Sequence, residues 1–535
     1  MPSAPYLTYI PMEMELDPLL GVVLATAVLL VAVLRRKRGS SRKYKMPPGP
    51  RPWPVIGNLN LIGALPHRSI HALSARHGAF MSLRFGSVPV VVGSSVEAAR
   101  FFLRTSDTSF IDRPRMAAGK YTAYDYSDIV WSPCGAYWRQ ARKLWKAHLF
   151  SDRQLRSQEH VRSEELRVLL HALSSSSSAG VAGRGRRAVA LKEHLLMYSL
   201  NVISRMALGG KYVGEGGTAG SPISPAEFSW MVDELFLLNG VFCVGDFIPW
   251  LGWLDLQGYV GRMKRLGKMF DRFLEHVVDE HDQRRRREGD GFVPADMVDL
   301  LLELADDPKL EVPIERDGVK GFALDLIAGG TDSTAVTIEW AMSELLRKPE
   351  VLAKATEELD GVIGHGRLVT EQDIPDLPYL EAVVKETLRL HPVTPLLAPR
   401  LCREDASTGS YDIPRGTLVF VNVWAIGRDP AVWGHDAEEF RPERFVGSAV
   451  DVKGHDLELL PFGSGRRMCP GYVLGLKMVQ VTLANLLHAF SWRLPDSVAP
   501  EKLNMQEKFG LAVPRLVPLE AVAVPRLPPH LYAGP

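Results

Sequence analysis

Cysteine is scarce: the 535 residues hold 4, at positions 134, 243, 402 and 469, and no CxxC pair occurs. That spacing excludes a disulfide scaffold and a cysteine-rich zinc site. An excess of charge is missing too. With 63 Lys and Arg against 62 Asp and Glu the net charge is +1, so no global field points to nucleic acid. There is no Asn-x-Ser/Thr sequon, in keeping with a body that never enters the secretory lumen, and no internal repeat. Apolar content is plentiful: 46% hydrophobic against 23% charged builds a large core and excludes a disordered chain.

Long uncharged hydrophobic runs are limited to one, Pro18 to Leu34, PLLGVVLATAVLLVAVL, with Glu13, Glu15 and Asp17 before it and Arg35, Arg36, Lys37 and Arg38 after it. At 1.5 Å per residue it spans roughly 25 Å against a hydrocarbon core of ~30 Å, a shortfall that snorkelling flanks cover. A cleaved signal peptide carries its positive charge before the apolar stretch, whereas here it follows. The expectation is a luminal tail at 1–17, a single-pass anchor at 18–34 and, by the positive-inside rule, a cytosolic body. Lys45 to Pro54, KMPPGPRPWP, is too rich in proline for a helix or a central strand. It reads as a stiff spacer, or as an ordinary linker, within a basic and proline-rich hinge at 35–54 that leads to a globular body at 55–535.

Phe80–Phe85 and Val88–Val92, parted by Gly86-Ser87, predict a hairpin. Helical periodicity is strongest over Trp138–His148, Val260–Arg287, Phe322–Arg347, Tyr379–Leu390 and Val473–Ala489. Ser174–Ser178 and Gly209–Gly220 read as surface loops. The run Arg284–Arg287 closes an amphipathic segment, so a solvated helix end is favoured over a nuclear signal.

One cysteine stands apart. In Phe462-Gly-Ser-Gly-Arg-Arg-Met-Cys-Pro-Gly471 the glycines let backbone approach closely and the arginines favour a thiolate at Cys469. A glycine-rich phosphate loop is the alternative, but the third glycine and a leading strand are absent. Phe462, Gly465, Arg467, Cys469 and Gly471 fit F-x-x-G-x-R-x-C-x-G, and on these residues the chain resembles the cytochrome P450 family. The resemblance implies that Cys469 is the axial thiolate ligand of haem iron, that Arg467 pairs with a haem propionate, and that Phe462, Gly465 and Gly471 shape the loop.

Further elements follow in family order. Ala328-Gly-Gly-Thr-Asp-Ser-Thr334 lies inside a long apolar helix. Two adjacent glycines there cost about 1 kcal/mol each against alanine, which close approach to a flat cofactor at Gly329 and Gly330 would explain, as would a packing groove. Asp332 and Ser333 resemble the family's acid–alcohol pair for proton delivery, with serine where threonine is usual and Thr334 as an alternative relay hydroxyl. Glu386-Thr-Leu-Arg389 and Phe440-Arg-Pro-Glu-Arg-Phe445 resemble the Glu-x-x-Arg and Pro-Glu-Arg-Phe motifs, which implies a buried structural triad of Glu386, Arg389 and Arg444. Trp138 and Arg142 match Trp-x-x-x-Arg, a pair that binds haem propionates. Arg139, Lys143 and Lys146 lie on another face of the same helix and, with Arg466, either dock an acidic electron donor or form a solvated surface.

The resemblance covers nearly the whole chain. Details such as Pro-Pro-Gly-Pro and His391-Pro-Val-Thr-Pro-Leu-Leu resemble the plant microsomal branch that includes flavonoid 3'-hydroxylases. It implies a mainly α fold with a small β region, the cytochrome P450 fold, and haem b between the long central helix and the cysteine loop. It further implies an endoplasmic reticulum membrane enzyme whose NADPH-derived electrons arrive through NADPH-cytochrome P450 reductase, a flavoprotein, with cytochrome b5 as a second donor. Val393, Leu396, Leu397, Phe509 and Leu511 are the expected pocket, apolar and suited to a terpenoid, phenolic, flavonoid or steroid-like molecule. Three activities stay open: hydroxylation, oxidative C–C cleavage of a tertiary terpene alcohol such as nerolidol or geranyllinalool to a homoterpene, and a reductase-independent haem isomerase, dehydratase or ligand-binding protein.

Overall fold

The computed structural model describes residues 26, 44–178, 187–213 and 223–534. The expected tail at 1–17, the anchor at 18–34 apart from Thr26, and most of the glycine patch at 209–220 fall outside the described residues.

The main helices are α1 (Pro66–His77), α2 (Ala136–Leu144), α3 (Glu159–Ser178), α4 (Leu191–Leu208), α5 (Pro225–Gly240), α6 (Tyr259–Glu288), α7 (Arg316–Arg347), α8 (Pro349–Ile363), α9 (Pro378–Leu390) and α10 (Tyr472–Ala489). Nine strands among the described residues are short: β1 (Phe80–Phe85), β2 (Val88–Gly93), β3 (Val189–Ala190), β4 (Arg400–Leu401), β5 (Ala406–Ser407), β6 (Asp412–Ile413), β7 (Leu418–Val421), β8 (Phe490–Arg493) and β9 (Glu520–Pro525). They form sheets ordered β1-β2-β7-β4, β3-β9-β8 and β5-β6. The expected hairpin is present, with Phe80 opposite Gly93 and Phe85 opposite Val88.

Helix α7 is the axis of the molecule. Its side chains are buried nearly all round, from Val319 and Phe322 to Ile338, Trp340 and Leu345, the signature of a helix enclosed by others. It packs against α4, α10, α6 and α9. It stops at Arg347 because Lys348 precedes Pro349, and a residue before proline is pushed out of helical geometry. Helix α6 ends at Gly289, in the left-handed region at φ 53°, with Arg285, Arg286 and Arg287 in its last turn, where positive charge suits the helix dipole. Arg284 pairs with Asp299 and Arg285 with Asp306, so the basic run is a helix end tied to acids.

Two local expectations are corrected. Ser174–Ser178 is the tail of α3, not a loop. Leu169, Leu170 and Leu173 anchor that helix in the core, and serine costs only a few tenths of a kcal/mol against alanine once a helix is running. Helix α2 ends at Leu144 and continues as a wider π turn over Trp145–Leu149, which keeps Trp145 buried. The described part of the proline stretch is tied to the body by hydrogen bonds. The carbonyls of Pro47 and Pro48 accept from Ser82 Oγ (2.7 Å) and Ser82 N (2.8 Å), and Lys45 O accepts from Asp412 N, which lays the stretch along the sheet. Among the described residues Pro225–Phe247 is long and apolar enough to cross a membrane, but Phe228, Met231, Val232 and Leu238 commit it to the core.

Candidate functional site

The cysteine loop is a tight turn built on backbone. Gly463 and Gly465 take left-handed φ of 68° and 71°, a conformation that favours glycine. A side chain at Gly465 would collide with the carbonyl of Leu103. The Cys469 N–H donates to Phe462 O at 3.0 Å, closing the loop on itself, and Gly471 leads directly into α10. Burial pushes the Cys469 thiol up, while the Gly471 N–H and the charge of Arg142 pull the other way by favouring the thiolate.

Cys469 opens onto a cavity of about 290 Å³ walled by α7, α10, the segment after α9 and the cysteine loop. Phe462, Gly463, Arg467, Met468, Gly329, Ser333, Thr334, Thr337, Val393, Leu397 and Leu511 share the wall with Trp138 and Arg142. A smaller chamber adjoins it, lined by Met116, Trp131, Phe242, Leu396, Phe420 and Phe509, with Thr394, Leu397 and Leu511 common to both. The five expected pocket residues therefore divide between two chambers.

Four guanidinium groups meet at the main cavity: Arg113, Arg142, Arg400 and Arg467. Arg113 and Arg400 were not singled out by sequence; an arginine at the end of Leu396-Leu-Ala-Pro-Arg400, flush with apolar residues, is the signal that could have found one of them. Arg467 lies 4.1 Å over the Trp138 ring and donates to the carbonyls of Ile111 (2.9 Å), Ile129 (3.3 Å) and Ser132 (2.6 Å). Burial pushes Arg400 and Arg467 down to about 10, and burial, with the charges of Arg467 and Arg400, holds Arg113 well below its usual value. Nearby acids give little relief, since Asp112 accepts from the N–H groups of Arg113 and Cys134, and Asp128 from that of Trp131. Arg400 Nη1 and Trp138 Nε1 are buried donors without a partner. Such a cluster calls for an anionic ligand edge. A thiol on the same wall and apolar sides elsewhere complete a donor set that fits an iron porphyrin carrying two carboxylates.

The residues expected on α7 divide. Ser333 and Thr334 line the cavity, with their hydroxyls donating to Gly329 O (2.6 Å) and Gly330 O (3.2 Å). Gly329 is on the wall, and a Cβ there would meet nothing; Gly330 instead lies against α4, where a Cβ would come within 2.5 Å of Ile203 Cδ1. The glycine pair thus serves one cavity and one helix contact. Asp332 is buried and off the cavity wall, facing a charged group in which Asp233 bridges Lys192 (3.1 Å) and Lys508 (3.2 Å). Burial lifts its carboxyl to about 6, and Oδ1 has no partner.

Behind the site, Arg389 holds Glu386 through Nε (2.6 Å) and Nη2 (2.8 Å), and Arg444 Nε reaches Glu386 Oε1 at 3.0 Å. The three residues predicted as a triad are in contact. Arg139, Lys143, Lys146 and Arg466 are exposed, the last in a 3.4 Å pair with Asp107.

The family model described as Cytochrome P450 matches residues 47–517. Trimethyltridecatetraene synthase of Zea mays is 53% identical over 96% of this chain and 94% of its own length. Dimethylnonatriene synthase of Zea mays is 52% identical over 97% of this chain and 100% of its own length. Flavonoid 3'-monooxygenase of Petunia hybrida is 41% identical over 96% and 100%. A solved zebrafish cytochrome P450 with abiraterone covers 87% of this chain and 100% of that one at TM-score 0.70 and 24% identity, a likeness of fold alone.

Proposed function

The chain belongs to the cytochrome P450 family, and from that premise we propose that it cleaves an acyclic tertiary terpene alcohol, of which nerolidol and geranyllinalool are examples, to a homoterpene. It is a plant P450 monooxygenase, and the family uses haem b with electrons passed from NADPH through a reductase. Bound haem supplies dioxygen activation. For the chain's own residues the proposal is that Cys469 is the axial ligand, that Arg113, Arg142, Arg400, Arg467 and Trp138 hold the propionates, and that Phe462 and Gly329 bound the ring. Ser333 keeps a proton at the cavity wall, and Asp332 resupplies it by side-chain rotation or through a bridging water. Replacing Ser333 by alanine is expected to leave the haem-thiolate spectrum intact while product formed per NADPH falls ~10-fold or more, the scale of a lost proton-transfer group. Unchanged coupling would assign the relay to Thr334.

The observation that carries the substrate reading is 52–53% identity over almost the entire chain to two maize enzymes named for homoterpene products, against 41–44% for flavonoid 3'-monooxygenases. Two joined apolar chambers with little free hydrogen-bonding capacity suit a flexible chain better than a flat polyphenol. In the cleavage the alcohol loses two hydrogens and splits into an olefin and a short methyl ketone. The ketone oxygen is the substrate's own, and both atoms of dioxygen leave as water. Turnover of nerolidol with labelled dioxygen tests this: unlabelled olefin and ketone are expected, and a labelled diol product would establish simple hydroxylation instead.

Placement at the endoplasmic reticulum membrane, with residues 18–34 as anchor, 1–17 luminal and 55–535 cytosolic, belongs to the same proposal. Trp250 and Trp253, 47% and 81% exposed, with exposed Leu254 and Leu256, offer a second lipid contact. The exposed Arg139, Lys143, Lys146 and Arg466 form the face for the reductase and for cytochrome b5.

A further inference from the structure

Among the described residues four side-chain hydroxyls line the main cavity, and three already donate their proton to a backbone carbonyl. Ser333 donates to Gly329 O at 2.6 Å, Thr334 to Gly330 O at 3.2 Å and Thr337 to Ser333 O at 2.8 Å. The fourth, Thr394, has no hydrogen-bond partner among the described residues, and it lies where the two chambers join. The other polar side chains of the outer chamber are committed. Asn239 accepts from Trp131 Nε1 (2.8 Å) and donates to Leu235 O (2.9 Å) and Thr122 Oγ1 (3.2 Å), while His67 is held by Glu507 at 3.0 Å. Apart from the arginine and tryptophan donors proposed for the propionates, Thr394 carries the hydroxyl that can both donate and accept on a wall made by Val393, Leu396, Leu397, Phe509 and Leu511.

The backbone around Thr394 is held on several sides. Val393 O accepts from Val513 N at 2.9 Å, Thr394 O from Leu397 N at 3.1 Å and Pro395 O from Trp424 N at 3.3 Å. Leu397 takes a left-handed φ of 52°, which a leucine adopts only where its surroundings impose it, and its side chain faces both chambers. Thr394, on the wall of both chambers, is therefore carried by a fixed turn.

We propose that Thr394 Oγ1 is the hydrogen-bond partner of the substrate's carbinol group, so that it selects a tertiary alcohol over the corresponding hydrocarbon. The inference rests on the terpene-alcohol reading above. A monohydroxy terpenoid brings one polar group to a wall with one hydroxyl free to donate as well as accept, and the rest of its chain lies against aliphatic and aromatic side chains of the smaller chamber. A flavonoid brings several hydroxyls and would strand most of them. Fixing the carbinol also fixes which C–H bonds of the chain lie near the cysteine end of the cavity, so positioning and recognition come from one contact.

The test is spectral titration of the full-length holoenzyme in membranes with nerolidol and with deoxynerolidol, for the parent, Thr394→Val and Thr394→Ser. Valine keeps the shape and removes the hydroxyl. The expected result is a ~3–10-fold weaker Kd of Thr394→Val for nerolidol, the scale of one neutral hydrogen bond, with deoxynerolidol binding unchanged and Thr394→Ser close to the parent. Equal weakening for both ligands, or for neither, overturns the assignment while leaving the terpene-alcohol reading intact. Failure of the parent to bind nerolidol at all overturns both.

Discussion

Cys469→Ala is expected to yield protein that folds but lacks the strongly red-shifted Soret band of the reduced carbon monoxide complex, with turnover below ~1% of the parent. Losing an outer-shell partner costs 10–100-fold, and this variant removes the ligand itself. The expectation has a structural basis beyond the motif. Among the described residues Cys469 is the one sulfhydryl on the cavity wall, and the N–H of Gly471 and the charge of Arg142 both favour its thiolate. Among the described residues no His shares that wall to take over as axial donor. Cys469→Ser gives the sharper comparison, because an alkoxide or alcohol ligand retains haem without the thiolate spectrum. A normal red-shifted band in either variant would remove Cys469 from the ligand role. The cavity would then have to be read around its arginines alone.

Cys469 and its loop were legible in the sequence because everything that shapes them is local: two left-handed glycines, a closing hydrogen bond from residue 469 to residue 462, and the start of a helix. The long helices were legible for the same reason, since periodicity is a local signal; α6, α9 and α10 begin one residue before the expected positions, whereas α7 begins at Arg316, well over a turn before Phe322. What the sequence withheld depends on distant partners. The hairpin could be read, but not that Val90 to Gly93 pair in parallel with Leu418 to Val421, a contact no short window contains. Arg113 and Arg400 looked like ordinary arginines until folding brought them beside Arg467. Gly330 looked like a partner of Gly329, yet it faces Ile203, because neighbouring residues on a helix point about 100° apart. The same rotation carries Asp332 away from Ser333, so the acid and the alcohol adjoin in the chain and face different surroundings. The serine tract misled for a simpler reason: composition suggested a loop where three buried leucines upstream had already committed the helix.

The largest effect on stability is expected at Glu386. It is fully buried and accepts from Arg389 twice, from Arg444 Nε and from the Arg441 N–H at 2.7 Å. Glu386→Ala would strand the buried Arg389 guanidinium and leave Arg444 with Asp436 at 3.5 Å as its acidic partner, a loss of about 3–5 kcal/mol from a total of typically 5–15. Haem content and the thermal midpoint of the holoenzyme should both collapse, and a variant that kept its haem with a midpoint within a few degrees of the parent would contradict the triad's structural role. Buried charge clusters can often be replaced by apolar residues at little cost, so a second variant, Glu386→Leu with Arg389→Met and Arg444→Leu, separates two causes. Here the arginines do more than neutralise Glu386. Arg389 donates to the carbonyls of Gly427 (2.5 Å), Ala437 (2.6 Å) and Glu439 (3.0 Å), and Arg444 to those of Trp433 (3.2 Å) and Asp436 (3.0 Å). An apolar triad leaves those carbonyls without donors in the segment that leads to the cysteine loop. The triple variant should therefore be no more stable than Glu386→Ala. Recovery of the parent's midpoint would mean that charge balance alone sets the cost, and that the segment from Gly427 to Arg444 holds its shape without the guanidinium groups.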